Sequence, residues 1–255
     1  MDKNFGNFQG KAHLYAKYRP QYSKQYVRFL QEGLNLCSDS TVADVGAGTG
    51  IHTKIIAEIT DKVFAIEPDA EMLQECQLLL GSERRVKMVQ GTAEDTGLAT
   101  ACIDYITVAQ AFHLFDRDKS LNEFKRVLRP SGKLVLVWNS KEHDNDLFYD
   151  NEEVIKKYCP NYCRKIHARS FYKDSYKDCF TPSSYTFTRF HQDSTEFLDE
   201  ETFIMRTLSA FYAITAADQN YNAMIEELKS VFKRHATNGV VEVPQSSVIY
   251  SGTVR

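Results

Sequence analysis

One ten-residue stretch, T-V-A-D-V-G-A-G-T-G from Thr41 to Gly50, holds three glycines and one carboxylate. Its apolar residues Val42, Ala43 and Val45 are typical of a buried parallel strand that runs straight into a tight turn. A helical pattern of isoleucines follows over residues 51–59. A glycine turn at a helix start exposes backbone N–H groups and lets a ligand approach the main chain closely. The stretch therefore predicts a ligand site on a strand, turn and helix unit.

The glycine spacing distinguishes between two kinds of ligand. A dinucleotide fingerprint reads G-x-G-x-x-G, but Ile51 stands where its third glycine should be. Asp44 lies two residues before Gly46, so a carboxylate faces the predicted site. A carboxylate would repel a pyrophosphate, whereas it suits a cationic amino group or a sulfonium. The spacing thus favours a ligand that carries positive charge.

The string D-V-G-A-G-T-G resembles the first motif of class I S-adenosylmethionine-dependent methyltransferases. The resemblance implies that S-adenosyl-L-methionine is the cofactor and that Asp44, Gly46 and Gly48 contribute to its binding. A second match comes from Glu67, which ends the predicted strand Lys62–Ile66 about twenty residues beyond the glycine turn. In a βαβ unit that position brings an acidic residue to ribose hydroxyls, so Glu67 is predicted to bind the donor.

The loop G-T-A-E-D follows a third predicted strand, Val86 to Gln90. In the resembled family this loop lies at the adenine, which implies a backbone N–H from Ala93 and one neighbouring side chain. Thr92, Glu94 and Asp95 are the candidates for that neighbour. The loop is one residue longer than the family's usual A-E-x-L-P, so the acid that reaches the adenine amine stays open.

A fourth predicted strand, Cys102 to Ala109, precedes the string Q-A-F-H-L-F-D. Ligands of open α/β sheets bind beyond the carboxyl ends of strands, near the switch in strand order. Ala109 and Gln110 are therefore candidates for donor binding, and His113 is the candidate catalytic residue. His113 would orient the acceptor or take its proton, and the alternative is a histidine hydrogen-bonded in a packed loop.

An aromatic and basic segment, residues 5–20, precedes the first strand. Its pattern resembles the N-terminal arm of methyltransferases related to the trans-aconitate and ubiquinone-pathway enzymes. The resemblance implies that Tyr15 and Arg19 close over the donor, with Arg19 able to meet a carboxylate through two parallel hydrogen bonds. The alternative is an arm that only packs against the rest of the protein.

The order of elements predicts an α/β fold with a Rossmann-like, seven-stranded, mostly parallel sheet and helices on both faces. Residues 1–38 are predicted as an arm and a covering helix, and residues 39–140 as the donor-binding core. Residues 141–184, rich in tyrosine, are predicted as a small helical and aromatic cap that holds the substrate. Residues 185–255 are predicted to complete the sheet with further helices, the last strand running antiparallel.

Composition narrows the range of partners. A net charge of -3 and an isoelectric point near 6.2 give no basic footprint for nucleic acid, and no long apolar run suggests a membrane span. We therefore expect a cytoplasmic monomer or homodimer with reduced thiols. The spacing of Cys159, Cys163 and His167, even with Cys179, is not a strong zinc pattern, so no metal is predicted.

These observations predict a methyltransferase that moves a methyl group from S-adenosylmethionine to an oxygen, nitrogen or carboxyl group of a small molecule. The N-P-P-Y string of amine-directed nucleic-acid and glutamine methyltransferases is missing after the fourth strand. Two alternatives stay open at this stage. The same strand, turn and later acid serve NAD-dependent oxidoreductases, and intact motifs also suit a protein that binds the donor without catalysis.

Overall fold

The computed structural model describes residues 10–81, 83–141, 145–162, 173–191 and 195–255. Within these parts, contacts group the chain into two compact units. The sheet unit comprises residues 21–140, 171–191 and 247–255. Of the described residues, the helical unit comprises 10–20, 141, 145–162 and 195–246. The two units share the predicted boundary after residue 140, and each unit joins segments that are distant in sequence.

The strands of the described residues are, in chain order, β1 (Thr41–Val45), β2 (Lys62–Ile66), β3 (Val86–Val89), β4 (Ile103–Ala109), β5 (Leu128–Lys141), β6 (Thr186–His191), β7 (Glu196–Leu198), β8 (Val241–Val243) and β9 (Gln245–Gly252). Seven of them form one mixed, mostly parallel sheet in the order β3-β2-β1-β4-β5-β9-β6. The predicted Rossmann-like fold class is thereby confirmed.

The helices of the described residues are α1 (Ala12–Tyr18), α2 (Lys24–Arg28), α3 (Ile51–Ala57), α4 (Ala70–Leu80), α5 (Arg117–Val127), α6 (Asp146–Tyr158), α7 (Glu200–Leu208) and α8 (Tyr221–His235). Acidic or amide side chains at Asp69, Asp116, Asn145 and Asp199 accept a backbone N–H in the first turn of α4, α5, α6 and α7. Such caps satisfy amide groups that a helix start leaves unpaired.

Strand β1 lies at the centre of the sheet unit, buried along its whole length between β2 and β4. Both pairings are parallel, so the carboxyl ends of β1, β2 and β4 lie at the same edge. The chain order changes direction between β1 and β4, which makes this edge the switch point where ligands of such sheets bind.

Helix packing departs from the periodicity in two places. Helical spacing predicts that Met72, Cys76 and Leu79 all face the core; Met72 and Cys76 are buried, but Leu79 is 41% exposed. Spacing also predicts one helix from Tyr22 to Leu36, where the structure has α2 followed by a π-helical turn over Phe29–Gly33. Apolar spacing fixes a helix face only to within one residue, so neighbouring leucines compete for it.

The helical unit has its own apolar core, built from α6, α7, α8 and the pair β7–β8. Hydrogen bonds connect residues in and next to α1 with residues in and after α7. The buried ammonium of Lys11 donates to the carbonyl oxygen atoms of Ala210 and Ala213. The hydroxyl of Tyr18 donates to Glu201 at 2.7 Å.

The sequence pattern predicts one helix over Thr195–Tyr212. Its first part is instead strand β7, because these residues pair with β8.

Candidate functional site

The glycine turn lies at the carboxyl end of β1 and is held by β2. The N–H groups of Gly46 and Ala47 both donate to the carbonyl oxygen of Ile66, at 2.9 and 3.0 Å. Gly46 and Gly48 have φ angles of +71° and +57°, a backbone region that disfavours side chains. A Cβ on Gly46 would lie 2.7 Å from the Cβ of Ala111, whereas a Cβ on Gly48 would meet no atom within 4 Å. The turn therefore presents an open backbone surface at Gly48.

Glu67 follows β2 and faces the same turn. Its Oε2 accepts the N–H of Gly48 at 2.8 Å, and its Oε1 accepts the N–H of Asp69 at 3.0 Å. Burial raises the pKa of the Glu67 carboxyl to about 7, and these two hydrogen bonds only partly oppose it. The carboxylate charges of Asp69 and Asp44 raise the pKa further. Glu67 thus joins the turn to β2 with a carboxyl group that titrates near neutral pH.

Asp44 is fully buried, and its carboxylate does not face the open side of the turn. It accepts hydrogen bonds from His52 Nδ1 at 2.9 Å, Thr53 Oγ1 at 2.7 Å and Thr107 Oγ1 at 2.9 Å. This differs from the expectation that Asp44 faces a cationic ligand group. The reason is the register of the sheet, which sets Asp44 opposite Thr107 of β4. Sequence reasoning missed His52 and Thr53, because only the fold brings them to Asp44.

Thr49 and Glu94 each hold a buried oxygen without a hydrogen-bond partner among the described residues. The Thr49 side chain is 1% exposed and lies in the glycine turn itself. Glu94 uses Oε1 to accept the N–H of Asp116 at 2.8 Å, which leaves Oε2 unsatisfied. Buried acceptors without partners are rare in folded proteins. A ligand with hydroxyl and amino groups would satisfy both atoms, so the residues present fit S-adenosylmethionine.

The other candidate residues of the predicted adenine loop, residues 91–95, differ in exposure and in hydrogen bonding. Ala93 is buried. The hydroxyl of Thr92 accepts the N–H of Asp95 at 3.1 Å, which fixes the loop locally, and Asp95 is exposed. Glu94 is therefore the acid of this loop that combines burial with an unused acceptor.

The end of β4 forms another wall of the turn. Ala109 is half-buried, and Gln110 has a φ of +63°, a strained conformation for a residue other than glycine. His113 lies half-buried on a single 3-10 turn, Phe112–Leu114. The ring of Phe112 packs in the core, with its centre 5.8 Å from the centre of the Tyr176 ring, and so does not line a pocket beside His113.

The ring of Phe115, a residue that is close to His113 in sequence, lies next to the glycine turn. A Cβ on Gly46 would approach the ring of Phe115 to 3.1 Å. Ala111 and Phe115 therefore cover the Gly46 side of the turn with apolar surface. The open side of the turn lies at Gly48, where nothing stands within 4 Å of an added Cβ.

Tyr15 and Arg19 belong to the helical unit. The Arg19 guanidinium stacks 4.7 Å from the centre of the Tyr15 ring, at the end of α1. The Nε of Arg19 is buried and has no hydrogen-bond partner among the described residues. This arrangement suits an anion such as a carboxylate. Their part in donor binding stays a prediction.

Five cysteines in the described part of the chain are free thiols. Cys159 lies in the helical unit and Cys179 in the sheet unit, while Cys163 and His167 lie outside the described residues. In the part of the chain that the structure describes, no three His, Cys, Asp or Glu residues form a metal-binding group. None of the described helices is both long and apolar enough to cross a bilayer.

Comparison with known proteins points to one family. The sequence profile of the methyltransferase domain family matches residues 43–136, which contain the turn, Glu67 and the end of β4. An uncharacterised methyltransferase of Mycobacterium tuberculosis is 27% identical over 100% of this chain and 97% of its own length. An uncharacterised methyltransferase of Schizosaccharomyces pombe is 32% identical over 51% of each chain.

A solved structure supports the same assignment at the level of the fold. A candidate type II methyltransferase from Anaeromyxobacter dehalogenans superimposes with a TM-score of 0.59 at 20% identity, covering 92% of this chain and 98% of its own. The NAD-dependent oxidoreductase that the glycine turn alone left open is not the family that these comparisons find. The family match over residues 43–136 and the sequence relatives indicate that the protein is an S-adenosylmethionine-dependent methyltransferase, in agreement with the strand order and the glycine turn.

Proposed function

We propose that this enzyme transfers the methyl group of S-adenosylmethionine to an oxygen, nitrogen or carboxyl group of a small molecule. When bound, the donor supplies a methyl group on a positively charged sulfur. The observation that carries the proposal is the junction of the open Gly48 backbone with the buried carboxyl of Glu67 at the switch point of the sheet. A nucleoside-bearing ligand fits that junction because its ribose hydroxyls would donate to the remaining lone pairs of the Glu67 carboxylate, beside the two backbone amides.

The other contacts follow from the buried atoms without partners. Glu94 Oε2 would accept the adenine amine, and the N–H of Ala93 would meet a ring nitrogen. Thr49 Oγ1 would bond a polar group of the donor close to the turn. The choice of Glu94 over Asp95 in the longer G-T-A-E-D loop is supported by their exposure, since Asp95 is exposed and Glu94 is not.

Methyl transfer is a displacement in line with the bond that breaks, so the protein's main tasks are orientation and exclusion of water. Holding two reactants in such a geometry can contribute about 7–11 kcal/mol. The rigid turn between β1, β2 and β4 supports that role. A hydroxyl or amine acceptor also has to lose a proton, whereas a carboxylate acceptor is already ionised at neutral pH. The acceptor class therefore decides whether His113 acts as a base.

Two measurements test this function. The first compares thermal unfolding with S-adenosylhomocysteine and with NAD. A ligand at a hundred times its dissociation constant adds about 2.7 kcal/mol of stability, so we expect a clear shift with S-adenosylhomocysteine only. The second follows a labelled methyl group from the donor into panels of carboxylic acids, phenols and amines. Donor binding without turnover on any panel would instead favour a protein that binds the donor without catalysis.

Thr49→Val is expected to weaken the binding of S-adenosylhomocysteine while the protein keeps or gains thermal stability. The substitution removes a buried hydroxyl that lacks a partner, which relieves the free protein. The lost hydrogen bond to the donor would cost about 0.5–1.5 kcal/mol, or roughly two- to tenfold in affinity. Calorimetric titration and thermal unfolding measure the two effects.

Thr53→Val is the matched control for this substitution. Thr53 lies one helical turn further on, but its hydroxyl donates to Asp44 at 2.7 Å, so its loss should lower the melting temperature. If Thr49→Val bound S-adenosylhomocysteine as tightly as the wild type, the Thr49 hydroxyl would not face the donor.

His113→Asn separates the two acceptor classes. If the acceptor is a hydroxyl or amine, we expect donor affinity to persist and turnover to fall about a hundredfold, within the 10²–10⁴ range typical of acid–base catalysis. The loss should shrink as the pH rises, because the acceptor then ionises without help. Steady-state rates between pH 6 and 9 provide the measurement. Unchanged turnover across this range would make His113 structural and favour an acidic acceptor.

A further inference from the structure

A chain of hydrogen bonds lies next to the glycine turn and involves two residues with no assigned role. The Tyr26 hydroxyl bonds His52 Nε2 at 2.7 Å, and His52 Nδ1 bonds Asp44 Oδ1 at 2.9 Å. Tyr26, His52 and Asp44 are buried to 0%, 3% and 0% exposure. The chain joins α2, α3 and β1, and Thr107 extends it to β4.

The direction of these hydrogen bonds follows from which groups can donate. An ionised Asp44 can only accept, so His52 Nδ1 carries a proton and donates to it. Among the described residues, the Tyr26 hydroxyl is hydrogen-bonded to His52 Nε2. Burial acts to raise the pKa of Asp44, but its bonds to His52 and the threonines outweigh burial and lower it. Burial also holds the pKa of Tyr26 well above its usual value. The Nδ1 proton of His52 is therefore the hydrogen that links the imidazole to Asp44.

The hydrogen bond between His52 and Asp44 joins the residues on either side of the glycine turn in the sequence. Asp44 lies two residues before Gly46, and His52 lies two residues after Gly50. Thr53 of the same helix bonds the other carboxylate oxygen, so α3 is tied twice to the end of β1. At the far side the turn is held by the bond from Gly48 to Glu67. A turn fixed in this way loses little freedom when a ligand binds.

We infer that Tyr26 and His52 are positioning residues which hold Asp44, and through it the glycine turn, in the shape that the donor needs. This inference rests on the proposed donor site. Neither residue is assigned a contact with the donor, because the Tyr26 hydroxyl and both ring nitrogens of His52 are already hydrogen-bonded within this chain. The structure therefore predicts that donor affinity depends on the Nδ1 side of His52 far more than on its Nε2 side.

Two amide substitutions separate the two sides of the imidazole. In His52→Asn the side-chain nitrogen occupies about the place of Nδ1 and can still donate to Asp44. In His52→Gln it occupies about the place of Nε2, which keeps a partner for Tyr26 but removes the His52 donor from Asp44 and leaves only those of Thr53 and Thr107. We expect His52→Asn to bind S-adenosylhomocysteine within about threefold of the wild type. For His52→Gln we expect about ten- to hundredfold weaker binding, the range of a hydrogen bond to a charged group.

Tyr26→Phe is the third variant and should follow His52→Asn in affinity. Calorimetry gives the dissociation constants, thermal unfolding gives the stability of each variant, and initial rates give KM for the donor and kcat. Both histidine variants should melt below the wild type, since each removes one buried hydrogen bond. A positioning role requires that affinity and KM for the donor separate the variants while kcat at saturating donor stays within about threefold.

The outcomes are distinguishable. If the wild type binds S-adenosylhomocysteine but the Asn and Gln variants bind it equally, or if affinity simply follows melting temperature, the positioning role is wrong while the donor site stands. If the wild type itself shows no binding, the proposed function falls and this inference falls with it. The expected order of affinity, with wild type, Asn and Phe variants close together and Gln well below them, supports both.

Discussion

Replacing Gly48 by valine is expected to abolish donor binding in a protein that still unfolds in one cooperative transition. A side chain at Gly48 would project into space that is open in the free protein, since no atom lies within 4 Å of its Cβ position. The same open surface is where the donor is proposed to meet the backbone. The substitution should lower affinity more than a hundredfold, beyond the range of calorimetric titration at ordinary concentrations. Thermal unfolding with and without S-adenosylhomocysteine should show no ligand shift.

Backbone strain is the alternative cause of such a loss, and Gly81→Val controls for it. Gly81 ends α4 with a φ of +56°, against +57° for Gly48, and its Cβ position is also open. Both variants should lose about 1–3 kcal/mol of stability from the strained φ. Only Gly48→Val should lose binding. Donor binding retained by Gly48→Val would mean that the donor lies elsewhere.

Gly46→Val is a less clean test, although the sequence makes the two glycines look equivalent. Its Cβ would lie 2.7 Å from the Cβ of Ala111 and 3.1 Å from the ring of Phe115. The valine would therefore disturb packing as well as the ligand site. The difference between Gly46 and Gly48 arises from the loop after β4, which the local sequence of the turn does not contain.

The parts of the fold that sequence predicted are those with local causes. Strands β1, β2 and β4 are short apolar runs that end in glycine, acidic or polar residues. The apolar pattern and these terminating residues were enough to locate the strands. The strand order and the position of Glu67 followed from βαβ geometry and from the family resemblance. Apolar spacing alone predicts that α5 begins at Leu121. It begins at Arg117, because the side chain of Asp116 accepts an N–H in its first turn.

The parts that sequence could not predict depend on contacts between distant residues. The three partners of Asp44 come from α3 and β4, and the strand register that sets Thr107 beside it is not a local property. Lys11 bonds carbonyl groups about two hundred residues away, which groups the N-terminal arm with α7. Alternation predicts which face a side chain takes, but it does not predict the partners on that face.

Replacing Glu67 by glutamine is expected to weaken binding of S-adenosylhomocysteine about ten- to hundredfold and to remove its pH dependence. In the wild type, ribose hydroxyls would donate to the ionised carboxylate, so binding requires the proton to leave. With a pKa of about 7 in the free protein, affinity should rise with pH up to about 7 and stay level above it. At one pH unit below that value affinity should be about tenfold lower, because roughly one carboxyl group in eleven is ionised there. Calorimetry at pH 6 and pH 8 measures this difference.

The free protein should show the opposite trend in stability from the same group. The pKa of Glu67 in the folded protein, about 7, lies above the usual glutamate value of 4.5, so between about pH 4.5 and 7 the folded state holds a proton that the unfolded state has released. The contribution of Glu67 to the free energy of unfolding therefore falls as the pH rises through this window. Glu67→Gln should flatten that part of the stability profile while it flattens the binding profile.

Asp69→Asn provides the matched control for this titration. Asp69 faces Glu67, and its charge helps raise the pKa of the carboxyl, together with that of Asp44. Asparagine keeps the side-chain cap of α4, because its carbonyl oxygen can accept the N–H of Met72 as Asp69 does at 3.0 Å, and the backbone N–H to Glu67 is unchanged. The pH below which affinity declines should therefore move down in Asp69→Asn. A wild-type affinity that stays constant from pH 6 to pH 8, or a folded Glu67→Gln variant that binds as tightly at pH 8, would show that this carboxyl does not hold the donor.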